Sequence, residues 1–469
     1  MGTVNSLMDL ARQALMANQA ALGVISNNVA NQNTPGYTRQ VVNWQTLDSV
    51  TIGSYTVGEG VAVGSQGISQ RDRILEQRVQ QQTQTQAQSE ALSSALNQVQ
   101  NIFGLSSTSN SASSTALGSA MDSFFGALSS LTASPSDVTV RQKVITAMKG
   151  LADAFNSAAN QMSQISTDLD KQAGGYVDRI NTLASTIAAL NKQIGSTSPD
   201  ADAGVLEDQR QQAIAELSQY IGLNQITNEA NGITLTTSNG AVLVSGDQSY
   251  AMSATQVAGV THLLAGPSNQ DVTAGLTGGA LGGILAARDQ QIPAFQSALD
   301  SLAYSLGTTI NQINTQGADG NNHMGKPLFL LPTSATGAAG QIRAAISDPL
   351  GISAATVGEG ATGNGNALLL AEVSTDMIVG GQTASSFFSS LLAQIGNAAS
   401  AAASDNTTQQ TMLTQLTSQR NALSGVSLDE EASNLTNYQR SYQAAAKVFS
   451  IADQIMSSAL NLGINTSVS

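Results

Sequence analysis

Residues 427–462 read SLDEEASNLTNYQRSYQAAAKVFSIADQIMSSALNL. Leu435, Tyr438, Tyr442, Ala445, Phe449, Ala452 and Met456 recur in steps of three and four, with Leu428 one heptad ahead of Leu435. This spacing puts them on one stripe of a helix, as in a coiled-coil seam. Ser427 and Glu430 form a capping box at its start. Asp429, Glu430 and Glu431 fall in the first turn, where the helix dipole favours carboxylates and alone accounts for them. The plainer alternative is a surface helix packed on its own domain.

A second striped helix lies at the other end. It is expected to start at about Ser6, which caps it with Asp9 as the acidic partner. Met8, Leu15, Leu22 and Val29 recur every seven residues, with Ala11 and Ile25 between them. Leu7, Leu10, Ala14, Ala21 and Val24 make an adjoining stripe. An apolar arc this wide exceeds what one partner helix covers. Ala30-Asn31-Gln32-Asn33-Thr34-Pro35-Gly36-Tyr37 closes the helix, because Pro35 pushes Thr34 out of the helical region and Gly36 permits a turn. Two such termini point to contact with each other first.

The 469 residues are enough for several domains. A hydrophobic share of 41% supports folded cores, while 4% aromatic residues leave mostly Ala, Leu, Val and Ile to fill them. The net charge of −14 opposes nucleic acid and anionic bilayers as partners. Cysteine is absent, which excludes disulfides, thiolate metal sites and cysteine nucleophiles. No basic segment leads into an apolar signal-peptide core, and no apolar run approaches about 18 residues. Export, if it occurs, is expected to use another route.

Between the termini the pattern alternates. Val/Thr-rich sequence with glycines from Val41 to Gly67 reads as extended or hairpin structure. Leu75, Val79, Leu92, Leu96, Val99 and Phe103 lie on a Gln-rich helix from about Gln70. Ser134-Pro135-Ser136-Asp137 starts another with Pro in its first turn, interrupted at Gly174-Gly175 and running to Ile194. A helix follows from Val205 to Ile221. Ile233 to Thr236 and Val242 to Val244 alternate as strands joined at Ser238-Asn239-Gly240. Helix returns from about Pro293 to Thr315. The expected fold is mainly α with a β-containing insert: paired terminal helices, a central helical bundle and a smaller β-rich outer part. Its segments are an N-terminal helix (1–40, pairing with 427–469), a connector (41–70), a helical body (71–221 and 367–426) and an outer insert (222–366).

Little in the chain could do chemistry. His262 and His323 are the two histidines, far apart, with no triad partners nearby in sequence. Gly275, Gly278, Gly279, Gly282 and Gly283 lack a P-loop ending and a Rossmann context, and read as a flexible turn. Asp319, Asn321 and His323 mimic a calcium loop, but Met324 stands where its glycine belongs and Leu330 where its glutamate belongs. No catalytic residue, cofactor site or metal site is expected.

Asn27-Asn28-Val29 and the run Ala30, Asn31, Gln32, Asn33, Thr34, Pro35, Gly36, Tyr37 resemble the N-terminal signature of bacterial flagellar rod, hook and hook-associated proteins. Further segments are similar, in collinear order, to the hook-associated branch at the hook–filament junction. They are Thr38-Arg39-Gln40, Gly60-Val61-Ala62-Val63, Arg71-Asp72 with Leu75, Asp208-Gln209-Arg210, the stretch 279–285 with Arg288-Asp289, and 425–431. The stretch 321–366 carries no motif that matches. The resemblance implies that the terminal helices pair as a coiled coil in the innermost tube of the flagellum, and that the middle faces outward. It implies copies of the chain as partners, with the hook protein on one side and a second junction protein on the filament side. It also implies export through the flagellar type III channel, with a chaperone on the C-terminal helix. Terminal helices of the free subunit are expected to order only when neighbours bury their stripes. A rod or hook protein is the alternative within the family, although those tend to be β-rich between their terminal helices. A secreted adhesin is the alternative outside it, sharing the acidic Ser/Thr/Gly-rich composition.

Overall fold

Apolar residues at helical spacing dominate the chain, and helices dominate its structure. The computed structural model describes residues 2–34, 36–52, 55–58, 60–105, 116–196, 204–227, 232–257, 260–360 and 362–464. Helix α1 (Gly2–Asn31) leads into strands β1 (Gln40–Thr46), β2 (Ser49–Ile52), β3 (Tyr55–Gly58) and β4 (Val61–Ser69). β1 pairs antiparallel with β4 and β2 with β3, making a double hairpin connector. α2 (Arg73–Ile102), α3 (Ala116–Ala133), α4 (Val138–Ser196) and α5 (Gly204–Tyr220) then build the first half of the body. The 59 residues of α4 span about 90 Å, and it is the spine on which the rest packs.

The second half starts with a four-stranded antiparallel sheet, β5 (Leu223–Thr227), β6 (Ile233–Thr237), β7 (Val242–Ser245) and β8 (Gln248–Ser249), in sequential order. Gly240, at φ +89°, closes the β6–β7 turn. Leu235, Leu243 and Val244 face inward, and Asn191 of α4 bonds to the backbone of Ile233 and Gly246. A smaller sheet follows, with β10 (Val260–Ala265) between β9 (Ser253–Val257) and β11 (Gln270–Asp271). Helices α6 (Gly279–Ala286) and α7 (Ile292–Gln316) are joined by a π-turn at Ala287–Gln291. There Arg288 is buried between Asp289 and Asp170.

The far end of α4 is capped by two-residue strands β12 (Gly317–Ala318), β13 (Phe329–Leu330), β14 (Arg343–Ala344) and β15 (Ala355–Thr356), with the short α8 (Ala338–Gln341) and α9 (Gly365–Glu372). Arg141 is 2% exposed and donates to the carbonyls of Pro135, Pro349 and Ile352, fastening this cap to α4. α10 (Ala384–Ser424) returns along α2, and α11 (Leu428–Ile464) pairs with α1. The core is continuous through α2, α3, α4, α6, α7 and α10, with Met121, Phe124, Leu128, Met148, Leu151 and Phe155 among its fully buried members.

Four expectations are corrected. α1 begins at Gly2, so Ser6 and Asp9 lie inside the helix instead of capping it. α4 starts at Val138 with Asp137 as its cap, accepting from the Thr139 amide at 2.7 Å, so Pro135 sits in the preceding turn and not in the first turn of the helix. α4 runs unbroken through Gly174-Gly175. Burial of Leu169, Ala173, Val177 and Ile180 around them outweighs the roughly 1 kcal/mol helix penalty of each glycine. The 275–283 glycines are not a flexible turn. Gly278 and Gly279 take φ +76° and +66° to start α6, Gly282 packs on the Thr277 backbone, and Gly283 brings α6 against the α2 backbone.

A Cβ at Gly283 would overlap the carbonyl oxygen of Gln88, an atom held in α2. Gly283→Ala is expected to lower body stability by about 2 kcal/mol or more, through forced separation of the two helices. A urea titration followed by circular dichroism measures it, and an unchanged midpoint would contradict the close packing.

Candidate functional site

The terminal helices meet as an antiparallel pair, because the C-terminal end of α1 and the first turn of α11 converge on the start of β1. On α1 the buried positions are Ala11, Ala17, Ala21, Ile25 and Asn28. Met8, Leu15 and Leu22 are half-buried beside them, and Val29 is exposed. On α11, Glu431 and Ala452 are buried, while Leu435, Tyr438, Ala445, Phe449 and Met456 are half-buried along the same stripe. Leu428 and Tyr442 of that stripe are exposed. Small side chains thus fill the closest contact, which lets the helix axes approach.

The motif after α1 is the root of this pair. Asn31 donates to Asn27, and the Thr34 amide bonds back to the Asn31 carbonyl, ending the helix. Gly36 turns at φ +82°. Ala30 and Asn33 are exposed, and Pro35 lies outside the described residues. The residue that closes the turn is Asn28, 1% exposed. Its Nδ2 donates to the Gln40 carbonyl at 2.8 Å, and its Oδ1 accepts from the Gln40 amide at 2.9 Å and the Tyr37 hydroxyl at 2.8 Å. One buried amide therefore replaces a strand partner for β1. Burial first, then the charges of Asp208 and Glu431, pushes the Tyr37 phenol up to about 12, so it stays a donor.

Two arginines fasten the root. Arg39 donates through Nε to Glu431 at 2.8 Å and pairs through Nη1 with Glu430 at 2.9 Å, and its amide bonds to the Ser424 carbonyl. The helix dipole is thus not the whole account of these carboxylates, as the sequence alone suggested. Arg71 reaches Asp208 on α5, Thr38 and, at 3.5 Å, Glu76 on α2. Burial raises both Glu76 and Asp208 above the usual carboxylate range despite that guanidinium. Trp44 of β1 stacks on Tyr438 of α11, with ring centroids 5.8 Å apart and planes inclined 24°.

Four segments singled out in the sequence, around Arg39, Arg71, Asp208 and Glu431, therefore meet in space. Asn28 stands within the signature quoted above, yet nothing local marks an asparagine that will be buried, and Trp44 carried no signal as a stacking partner. Glu431 was legible: one further step of four back from Leu435 lands on it.

Elsewhere no group of three or more metal-ligating side chains occurs among the described residues. His262 does have a carboxylate partner, Asp271 at 2.7 Å, brought across the β10–β11 pair and invisible to local sequence. Asp271 is held near 2 by its bonds from Thr273 first and His262 after it. Asp319 accepts the amides of Asn321 and His323, a turn with no ligand cage. No helix among the described residues is long and apolar enough to cross a membrane.

Comparison with known proteins places these features in context. A family model described as the flagellar hook-associated protein FlgK helical domain matches residues 96–329. Models described as flagella basal body rod protein and flagellar basal body rod FlgEFG protein C-terminal match residues 8–38 and 417–462. The chain is 28% identical to flagellar hook-associated protein 1 of Escherichia coli K12 over 565 aligned positions, covering 98% of this chain and all of that one. It is 28% identical to the protein of the same name from Bacillus subtilis, covering 97% of each. Among solved structures it resembles the flagellar hook junction protein FlgK from Burkholderia pseudomallei, with a TM-score of 0.67 at 17% identity, covering 75% of this chain and all of that one. That likeness bears on the fold.

Asn28→Ala would strand two backbone groups of Gln40 and the Tyr37 hydroxyl, at a cost of about 2–4 kcal/mol. Local opening of the root should then become at least about tenfold more frequent. Trypsin cleavage after Arg39 measures it, and an unchanged rate would mean that Asn28 does not hold the turn.

Proposed function

The chain belongs to the flagellar hook-associated protein 1 family, a branch of the rod, hook and hook-associated axial proteins, and from that premise we propose how it works as a structural junction subunit between hook and filament. It is part of the extracellular flagellum, and its role is mechanical.

One observation carries the reading: the terminal pair buries mostly alanines, with Ile25, and leaves many of its large apolar side chains exposed. Leu7, Leu10, Met16 and Val29 on α1, and Val448, Ile451, Ile455 and Leu460 on α11, are all exposed. A two-helix hairpin with so much uncovered apolar surface is half of a core. Copies set side by side complete it, each pair covering the stripe of the next. Met8, Leu15, Leu22, Ile25 and Val29, with Leu428, Leu435, Tyr438, Tyr442, Ala445, Phe449, Ala452 and Met456, form the seam that closes each pair in this reading, and the exposed residues named above are the face that neighbouring copies cover. The hook protein adjoins one side of the layer, and a second junction protein adjoins the filament side. Rod-type family models match the termini, whereas the hook-associated model matches the helical body between them.

Leu435→Asp or Phe449→Asp would put a charge into the α1–α11 contact at a cost of several kcal/mol. Cells carrying either variant should export the protein yet show hooks without filaments by electron microscopy. Normal motility in both would overturn the seam.

Before assembly the same stripes need cover. An uncovered apolar helix invites self-association, which a helix-in-groove chaperone in the cytoplasm would prevent before the subunit leaves through the flagellar type III channel. A peptide spanning Leu428 to Leu462 should bind that chaperone, and Tyr442→Ala with Phe449→Ala should weaken binding and assembly together. Undiminished binding to a chain truncated before Ser427 would rule out the shared surface.

A further inference from the structure

α11 carries two apolar stripes, and the more hydrophobic one faces away from α1. The stripe that meets α1 over the middle of the helix is Ala445, Phe449, Ala452 and Met456. One residue earlier at each step run Val448, Ile451 and Ile455, of which Ile451 is 45% and Ile455 47% exposed. Neighbouring residues on a helix differ by about 100° in azimuth. A rotation of that size would bury two isoleucines and a valine in place of two alanines, a phenylalanine and a methionine. Apolar burial between α1 and α11 therefore does not by itself fix which stripe faces inward.

Something else selects the azimuth, and the first turn of α11 shows it. Glu431, Leu435 and Tyr438 are spaced by four and three, so Glu431 occupies the first position of the inward stripe. Its side chain is 2% exposed, in a place where the pattern calls for an apolar residue. It is held by Arg39 Nε, while Glu430 takes Nη1 of the same guanidinium. One heptad on, Tyr438 stacks on Trp44. Both contacts come from the segment after α1, Arg39 just before β1 and Trp44 within it, and together they fix α11 at two points of one face.

We infer that Arg39, acting through Glu431 and supported by the Trp44–Tyr438 stack, is the register key of the terminal pair. It docks the root of α11, Leu428 to Tyr438, before assembly, and decides which stripe closes on α1 and which is offered to neighbouring copies. A charged residue at a seam position serves this purpose, since a rotated or shifted α11 would leave the Glu431 carboxylate buried without its guanidinium. Arg39 is thus a positioning residue for assembly, an inference that rests on the junction reading above.

Exchange of the pair for apolar side chains of similar size, Arg39→Met with Glu431→Leu, separates positioning from plain stabilisation. Such exchanges often preserve stability, and in some systems they also remove the requirement for one geometry. The full-length chain should keep its thermal midpoint within about 3 °C. Acrylamide quenching of Trp44, the only tryptophan, should rise about twofold in the free chain as the root of α11 loosens. Filaments per hook, in cells lacking their own copy, should fall about tenfold, and the single variant Arg39→Lys, which keeps the charge but not the fork to Glu430 and Glu431, should fall between the double variant and the wild type. The inference is overturned if the double variant builds filaments normally, if its defect only tracks a lowered midpoint, or if Trp44 of the wild-type free chain is as accessible as in urea. Normal filaments on the double variant would leave the junction reading standing, because that reading fails only with the Leu435 and Phe449 variants.

Discussion

Arg39 and Glu431 are 392 residues apart in sequence and 2.8 Å apart in space. This contact brings the inner ends of both terminal helices to one root, and the architecture follows from it. Because α1 ends at the root and α11 starts from it, the body between them has to be closed from both halves of the chain. α2 and α10 do this, running side by side along the body. The ion pair contributes little net stability once the desolvation of both charges is counted. Its value is geometric, since a buried carboxylate tolerates only the arrangement that brings its guanidinium.

The body changes character along its length in keeping with that root. At the far end α2 and α10 meet through Phe103 and Phe388, with ring centroids 6.4 Å apart, and through Leu96, Leu391 and Ile395 in the core. Toward the root the same two helices meet through Gln82 with Gln409, Gln86 with Asn406, and Ser89 with Asp405. Apolar packing fixes the far end by excluding water, whereas amide pairs exchange with water at small net free energy. The root is accordingly held by charge, by Asn28 and by the Trp44–Tyr438 stack. A subunit that joins two different assemblies needs a firm body and a defined direction for its terminal helices. These two kinds of contact supply one each.

The sizes of apolar residues carry the same division. Within one subunit the terminal pair fully buries Ala11, Ala17, Ala21, Ala452 and, of the larger apolar residues, Ile25, and leaves Leu10, Met16, Ile451 and Ile455 outside. In a self-sufficient hairpin the larger side chains would be expected inside, because burial free energy scales with apolar area. Their outward placement is the imprint of neighbours on the sequence of one copy. Relatives such as the Escherichia coli protein align over more positions than this chain has residues, so they carry additional segments.

Periodicity and turn residues mark the helices, the β6–β7 hairpin, the terminal stripes and the family signature, while the caps at Asp72 and Thr383 emerge only in the structure. The marks in the sequence are local: periodicity and turn glycines act over a few residues, and each leaves its mark where it acts. Local signals misled where packing overruled them, as at Gly174-Gly175 inside α4 and at the 275–283 glycines, which serve close helix contact instead of flexibility. Packing between distant segments is what pairs Asn28 with Gln40, bridges Arg71 to Asp208 and brings Arg39 to Glu431. It also decided which stripe of α11 turns toward α1. A repeat of three and four residues says which side chains share a face, and never which partner that face will meet. That choice is made by contacts between segments hundreds of residues apart, whose free energy exists only once the chain has folded.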